Sequence, residues 1–256
     1  MILKMKKRFV SKIQSQEIYT SISEYLPENN SRPHTLNGYL KKIINHATSP
    51  FYALDLGCGK GDSIKIFEFL NREVVWHGVD VEDSPEVKNR TRKNDSILTF
   101  NGVNLPYKDD YFDLVYTNQV LEHVRHPDAL IPDVFRVLKR GGILIGSVSY
   151  LEPYHSYSIF NYTPYGLAEV INNGGFKLIE IRPETDALML IIRQLFNGSS
   201  HFKSIWNHNY LYTLIRIMGS IFNLRHRELN FLKVQFSGHI IFLAKKPVTD
   251  KCGNEQ

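Results

Sequence analysis

Ala53-Leu54-Asp55-Leu56-Gly57-Cys58-Gly59-Lys60-Gly61 is the stretch on which the fold turns. The apolar run Phe51 to Leu56 has the makings of a buried strand; it carries an acid near its end and runs into three glycines at alternate positions. Glycine lets the backbone come close to a ligand, and an acid beside the turn suits a positively charged group. Dinucleotide sites space their glycines G-x-G-x-x-G and aim a helix N-terminus at pyrophosphate. Here Asp62 puts an anion where a pyrophosphate would sit. Beyond the turn, Ile64, Phe67 and Leu70 predict a helix, and Val74 to Val79 predicts a second strand ending at Asp80. A carboxylate at that strand end can accept both hydroxyls of a ribose. Strand, turn, helix and strand make a parallel βαβ unit.

Working outward, Leu36, Tyr39, Leu40, Ile43, Ile44 and Ala47 form an apolar stripe at helical spacing just before the first strand. After the unit come β-prone runs at Ile97 to Phe100 and Tyr111 to Tyr116. Next is a helix with Leu130, Val134, Val137 and Leu138, expected to stop at Gly141-Gly142, then a fully apolar strand from Ile143 to Val148. Pro132 belongs in that helix's first turn or marks a break. Leu151 to Thr163 lacks periodicity and reads as a long loop, a place where function concentrates. A helix at Tyr165 to Asn172, a strand at Phe176 to Ile181 and a last strand at Gly238 to Ala244 complete the pattern.

The chain is therefore read as α/β: a Rossmann-like, open, mostly parallel seven-stranded sheet with helices on both faces and a helical insertion before the last strand. The expected divisions are a basic N-terminal arm and leading segment (1–34), the core (35–184), the insertion (185–230), the last core strand (231–247) and a polar tail (248–256). In the insertion, Leu188, Ile191, Ile192, Leu195 and Phe196 form one stripe. Leu211, Leu214, Ile215, Met218, Ile221 and Phe222 form another. Such stripes pack on each other, cover an apolar acceptor as a lid, or lie on a membrane with His201, Arg216, Arg225 and Arg227 toward headgroups.

Hydrophobic content of 43% and charged content of 22% exclude wholesale disorder and a fibrous architecture. The net charge of +5 is accounted for by Lys4, Lys6, Lys7, Arg8 and Lys12 at one end, so the rest is balanced and no nucleic-acid partner is expected. Two cysteines, Cys58 and Cys252, build no disulfide framework, which fits a reducing cytoplasm. No signal peptide and no membrane-spanning run is expected.

Five blocks in order resemble the class I S-adenosylmethionine (SAM)-dependent methyltransferases, in particular the type 11 group. They are Leu54 to Gly61; Gly78-Val79-Asp80; Leu105-Pro106-Tyr107 with Phe112-Asp113-Leu114-Val115; Val120-Leu121-Glu122-His123-Val124; and Arg136 to Gly142. Tyr162 to Leu167 and Gly175-Phe176 look similar as well, so the resemblance covers roughly residues 35–182.

The resemblance implies SAM as cofactor, with Asp55 and the Gly57-Cys58-Gly59 backbone, extended by Gly61, around the methionine portion. It implies Asp80 on the ribose diol, Val81 against adenine, and Asn118 and Gln119 at the methionine end. Asn101, beside Gly102, stands where the family usually has an aspartate that bonds the adenine amino group. The implied reaction is methyl transfer by in-line displacement to a small-molecule acceptor, lipid-linked ones included, with His123 and His155 as candidate bases and no metal expected. Two other readings stay open: a SAM-binding regulatory module without catalysis, and a nicotinamide-dependent oxidoreductase.

Overall fold

The computed structural model describes residues 16–29, 35–90, 95–199 and 208–248, so the basic arm, His201 and Cys252 lie outside the described residues. Seven strands form one sheet: β1 (Phe51–Leu56), β2 (Val74–Val81), β3 (Ile97–Phe100), β4 (Phe112–Asn118), β5 (Leu138–Ser149), β6 (Lys177–Pro183) and β7 (His239–Lys245). Their spatial order is β3-β2-β1-β4-β5-β7-β6. All neighbouring pairs are parallel except those made by β7, which runs antiparallel to both β5 and β6. The open, mostly parallel seven-stranded sheet expected above is thus the architecture.

Side chains alternate across a strand, and the two cores follow from that alternation. Leu54, Val115, Leu144, Ile240 and Phe242 pack on one face with Leu130, Val134, Leu167, Ile171 and Phe231. Those partners come from α5 (Pro127–Val137), α6 (Pro164–Asn173) and α9 (His226–Gln235). Ala53, Leu114, Ile145 and Ile241 pack on the other face with Leu36, Leu40, Ile44 and Phe67, from α2 (Leu36–Ile44) and α3 (Ile64–Leu70). The remaining α-helices among the described residues are α1 (Gln16–Ile22), the short α4 (Pro85–Lys88), α7 (Ala187–Leu195) and α8 (Tyr210–Ile221). Thr35 caps α2 and Thr163 caps α6, each accepting from the backbone N–H three residues on, Gly38 at 3.2 Å and Gly166 at 3.0 Å.

Three motif residues prove to be braces at the amino ends of the strands. Asp113 accepts from Tyr52 N (2.9 Å) and Lys139 Nζ (2.7 Å), tying β1, β4 and β5 together. Arg136 forks onto Asp133 and Asp109 and donates to the carbonyls of Leu105 and Tyr107, which fixes the Leu-Pro-Tyr segment ahead of β4.

Several expectations need correction. Gly141-Gly142 does not end α5, which stops at Val137 and passes directly into β5. Gly141 instead adopts φ +76° within the strand, where pairing of β5 with β4 slips between Phe112 and Leu114. A side chain on Gly142 would stand 2.7 Å from the Lys139 carbonyl. Pro132 sits neither in the first turn nor at a break: it lies inside α5 on its exposed side, where the carbonyl left unpaired can reach water. The helical stretch also runs past residue 230, because α9 continues to Gln235 and buries Phe231 and Val234 in the core.

The insertion is held at its base by one buried acid. Asp186 accepts from Met189 N (2.8 Å) at the start of α7 and from Leu211 N (3.2 Å) at the start of α8. Asp186 also bridges to Ser237, and Gly238 N donates to the Thr185 carbonyl at 2.7 Å.

Candidate active site

β1, β2, β4 and β5 end on the same edge of the sheet, at Leu56, Val81, Asn118 and Ser149. The chain moves outward from β1 to β2 and β3 and then returns to β4 on the other side of β1. The strand ends flanking that reversal are where open α/β sheets receive ligands.

Asp55 is buried there, and Ser63 Oγ donates to its Oδ2. Burial pushes its carboxyl up from 3.8 to about 7, the nearby Asp80 charge adds to the rise, and the Ser63 bond opposes it. Asp80 is oriented by two backbone amides, Gly59 N to Oδ2 and Val81 N to Oδ1, both at 2.7 Å. Burial raises its pKa as well, against the pull of those two bonds. Between the acids, Gly57 N (2.8 Å) and Cys58 N (3.1 Å) both donate to the Val79 carbonyl and fasten the turn to β2. Arg90 Nε donates to the Gly59 carbonyl at 3.1 Å. Cys58 is buried, and burial pushes its thiol up to about 12, so it serves as packing rather than as a nucleophile.

Gly57 is the position the turn can least change. Its φ is +74°, and a Cβ there would come within 2.4 Å of Val120 Cγ2. Gly57→Ala is therefore expected to cost about 2 to 4 kcal/mol of stability, combining left-handed strain with a steric clash. Val120→Ala in the same chain should return part of it. Thermal unfolding of the single and double variants checks this; a single variant as stable as the parent would mean that the turn is not held this way.

Val81 pairs with Phe100 at the ends of β2 and β3, and Gly102 (φ +86°) follows with Val81 Cγ1 3.7 Å from where its Cβ would be. Asn101 uses its side-chain oxygen on its own turn, accepting from Val103 N (3.0 Å) and Asn104 N (2.8 Å). Both lone pairs of that oxygen are thereby engaged. Asn118 is exposed at the end of β4. Gln119 takes φ +54°, donates to Ser147 Oγ and accepts from Ser149 Oγ, each at 2.8 Å. A non-glycine residue held in that conformation by three bonds, counting its N–H to the Ser147 carbonyl, marks a strained functional corner.

His123 and His155 meet with ring centroids 5.7 Å apart, beside the fully buried Glu122. Further carboxylates converge on this corner. Ser147 Oγ donates to Glu184, Ser149 Oγ contacts Glu152, and Glu152 Oε2 lies 2.8 Å from His239 Nε2. Sequence reasoning missed Ser63, Arg90, Glu122, Ser147, Ser149, Glu152, Glu184 and His239. A period-two reading of β5 would have found the serines: Ser147 lies inside the run read above as fully apolar, Ser149 lies one residue past it, and both face the same way.

The edge fits SAM. One buried carboxylate suits an ammonium group, a second, oriented one keeps a lone pair on each oxygen for a diol, and a turn free of side chains separates them. Residues 54–146 match the family described as the methyltransferase domain, of type 11. A tRNA (carboxymethyluridine(34)-5-O)-methyltransferase of Arabidopsis thaliana is 27% identical over 150 residues, 52% of this chain and 36% of that one. The ubiquinone/menaquinone biosynthesis C-methyltransferase UbiE of Paraburkholderia phymatum is 32% identical over 102 residues, 37% of this chain and 42% of that one. Among solved structures, phosphoethanolamine N-methyltransferase 2 of Haemonchus contortus with SAM shares the fold at 17% identity. Its TM-score is 0.53, and the match covers 94% of this chain and 60% of that one.

The fold is that of the class I SAM-dependent methyltransferases, and residues 54–146 carry a methyltransferase domain whose cofactor is SAM. Within that class the matched stretch is of type 11. The matched stretches span about half or less of the length of the curated relatives, 43%, 50% and 36% for three of them.

Proposed function

We propose that the chain methylates a small-molecule acceptor, lipid-linked ones included, at the edge just described. The observation that carries this reading is the pair Asp55 and Asp80, held at the two ends of a glycine turn across the β1–β2 boundary. Bound there, SAM supplies an activated methyl group that an acceptor atom takes by in-line displacement. Asp55 binds the methionine portion against the side-chain-free backbone of Gly57, Cys58 and Gly59, whose amides hold the turn to Val79 and Asp80, with Gly61 completing the turn. Asp80 binds the ribose diol. Val81 and the bend at Gly102 flank the adenine, while Asn101 shapes that bend because its oxygen is already taken. Asn118 and Gln119 border the methionine end. His123 and His155 stand ready to take a proton from an acceptor that must lose one.

The acceptor side is formed by the loop after β5, where Tyr154, Tyr157 and Phe160 are exposed, and by the insertion. Leu188, Ile191 and Leu195 of α7 and Leu214, Ile217 and Ile221 of α8 present apolar surface to solvent, with Arg193 and Arg216 exposed among them. Peripheral contact with an anionic lipid surface is the use of such a face that we propose. Arg225 and Arg227 contribute less, since they pair with Glu228 and Glu28. Among the described residues no helix is long and apolar enough to cross a membrane.

Titration with SAM and with NAD, followed by product formation against a metabolite panel, tests the activity. The expected result is SAM binding without NAD binding, and turnover of at least one acceptor. NAD binding without SAM binding overturns the cofactor; SAM binding with no product across the panel favours the regulatory module. Co-sedimentation with vesicles checks the lipid contact: anionic vesicles should retain the chain, and Leu195→Glu with Ile221→Glu should release it. Equal retention of parent and variant, or none of either, removes the lipid contact.

A further inference from the structure

We propose that Glu122, His123 and His155 form a binding site for one divalent first-row transition-metal ion. Each of the three offers a ligand atom, and these atoms all lie within 4.8 Å of one another. Sequence spacing hides the set, because Glu122 and His123 lie on one short 3-10 turn (Leu121–His123) while His155 comes from the loop after β5.

The turn and the loop are fastened to each other. Ile159 N (2.7 Å) and Phe160 N (3.1 Å) both donate to the Glu122 carbonyl. Tyr162 OH donates to the Leu121 carbonyl (3.2 Å), and Tyr162 N to that of Ser149 (2.8 Å). The ligand set therefore exists before any ion arrives, which lowers the cost of binding.

Two independent observations point to a cation. The Glu122 side chain is fully buried, yet its Oε2 has no hydrogen-bond partner, so the carboxylate that lies beside the two imidazoles keeps an oxygen unclaimed. The other oxygen, Oε1, shares the single proton of Ser149 Oγ (3.0 Å) with Gln119 Oε1 and Glu152 Oε2. One O–H serves three acceptors, an excess of electron pairs that a cation would correct. Glu152 Oε2 lies 3.4 Å from His155 Nδ1, where it fixes the ring and leaves Nε2 for an ion, the carboxylate-imidazole-metal arrangement.

Two imidazoles and one carboxylate select Zn²⁺, Mn²⁺, Fe²⁺ or Co²⁺ over Mg²⁺ or Ca²⁺, which prefer all-oxygen sites. Three protein ligands leave coordination positions open, and the His155 side chain is 30% exposed, so an oxygen ligand from solvent or acceptor can reach the ion. The site does not depend on the methyl-donor assignment, and with an ion bound His123 and His155 act as ligands in place of the base role given above.

The test is titration of the chelator-treated full chain with Co²⁺ and Zn²⁺, read by calorimetry and by the visible bands of Co²⁺. We expect one ion per chain, and binding weakened at least about tenfold by His155→Ala, by His123→Ala and by Glu122→Gln. His126→Ala, an exposed histidine outside the set, should bind as the parent does. His155→Ala guards against misfolding, since its loop position makes few demands on the core, and SAM titration of the same samples reports whether the cofactor edge is intact. Absence of a stoichiometric ion, or unchanged binding in both histidine variants, overturns the site even where SAM still binds.

Discussion

Asp80→Ala is expected to weaken SAM binding about a hundredfold or more. Each carboxylate oxygen already accepts one backbone amide and retains a second lone pair, so a ribose diol can take one hydroxyl to each. Hydrogen bonds to a charged partner contribute about 1.5 to 3 kcal/mol apiece, and two of them lost in a site this buried give the stated factor. Asp80→Asn should fail nearly as badly, because its amide would turn an N–H donor toward Gly59 N or Val81 N. A cycle with a 2′-deoxy analogue separates ribose recognition from turn integrity. The parent should discriminate against the analogue about tenfold or more, and Asp80→Ala should not discriminate at all. Calorimetric titration measures both; an alanine variant that binds SAM within threefold of the parent ends the assignment of this residue.

The second large effect concerns Asp55 and proton uptake. With its carboxyl pushed up to about 7 by burial, the empty protein holds a proton there over the range from 3.8 to about 7 that an unfolded chain would not. The folded state therefore binds the extra proton, and stability falls as pH rises through that window, then levels off above it. The gap corresponds to at most about 4 kcal/mol, so Asp55→Asn should make the empty protein more stable than the parent at pH 8 and nearly equal to it at pH 4. Binding reverses the preference, since a cationic ligand favours the ionised acid. The affinity of the parent for SAM should fall about tenfold between pH 8 and pH 6, with about one proton released on binding near pH 6. Asp55→Asn should bind weakly throughout and lose this part of the pH dependence. Calorimetry in buffers of different ionisation enthalpy reads the proton count; a parent that releases none at pH 6 contradicts the role.

The strands were legible because most are runs of apolar residues bounded by polar or glycine positions, and β1 and β3 fall where the apolar runs put them. The acids at 55 and 80 were legible for the same reason, being the polar ends of such runs. Gly141-Gly142 misled because two glycines after a helix usually cap it, whereas here the slip in register between β4 and β5 claims them. Pro132 misled because solvent, which sequence does not reveal, takes over the carbonyl its ring leaves unpaired. The cluster of Glu122, His123, Glu152, His155 and His239 was illegible as a group: its members come from a turn, a loop and the first residue of β7, and only the sheet order brings them together.

Asp186 and Ser237 sit opposite each other where the helices α7, α8 and α9 of the described residues leave the sheet and return to it. A detour of about fifty residues thus departs and comes back through the same doorway. Geometrically α7 and α8 are a cassette whose length, greasiness or charge can be exchanged, whereas α9 belongs to the sheet, since Phe231 and Val234 are part of its core.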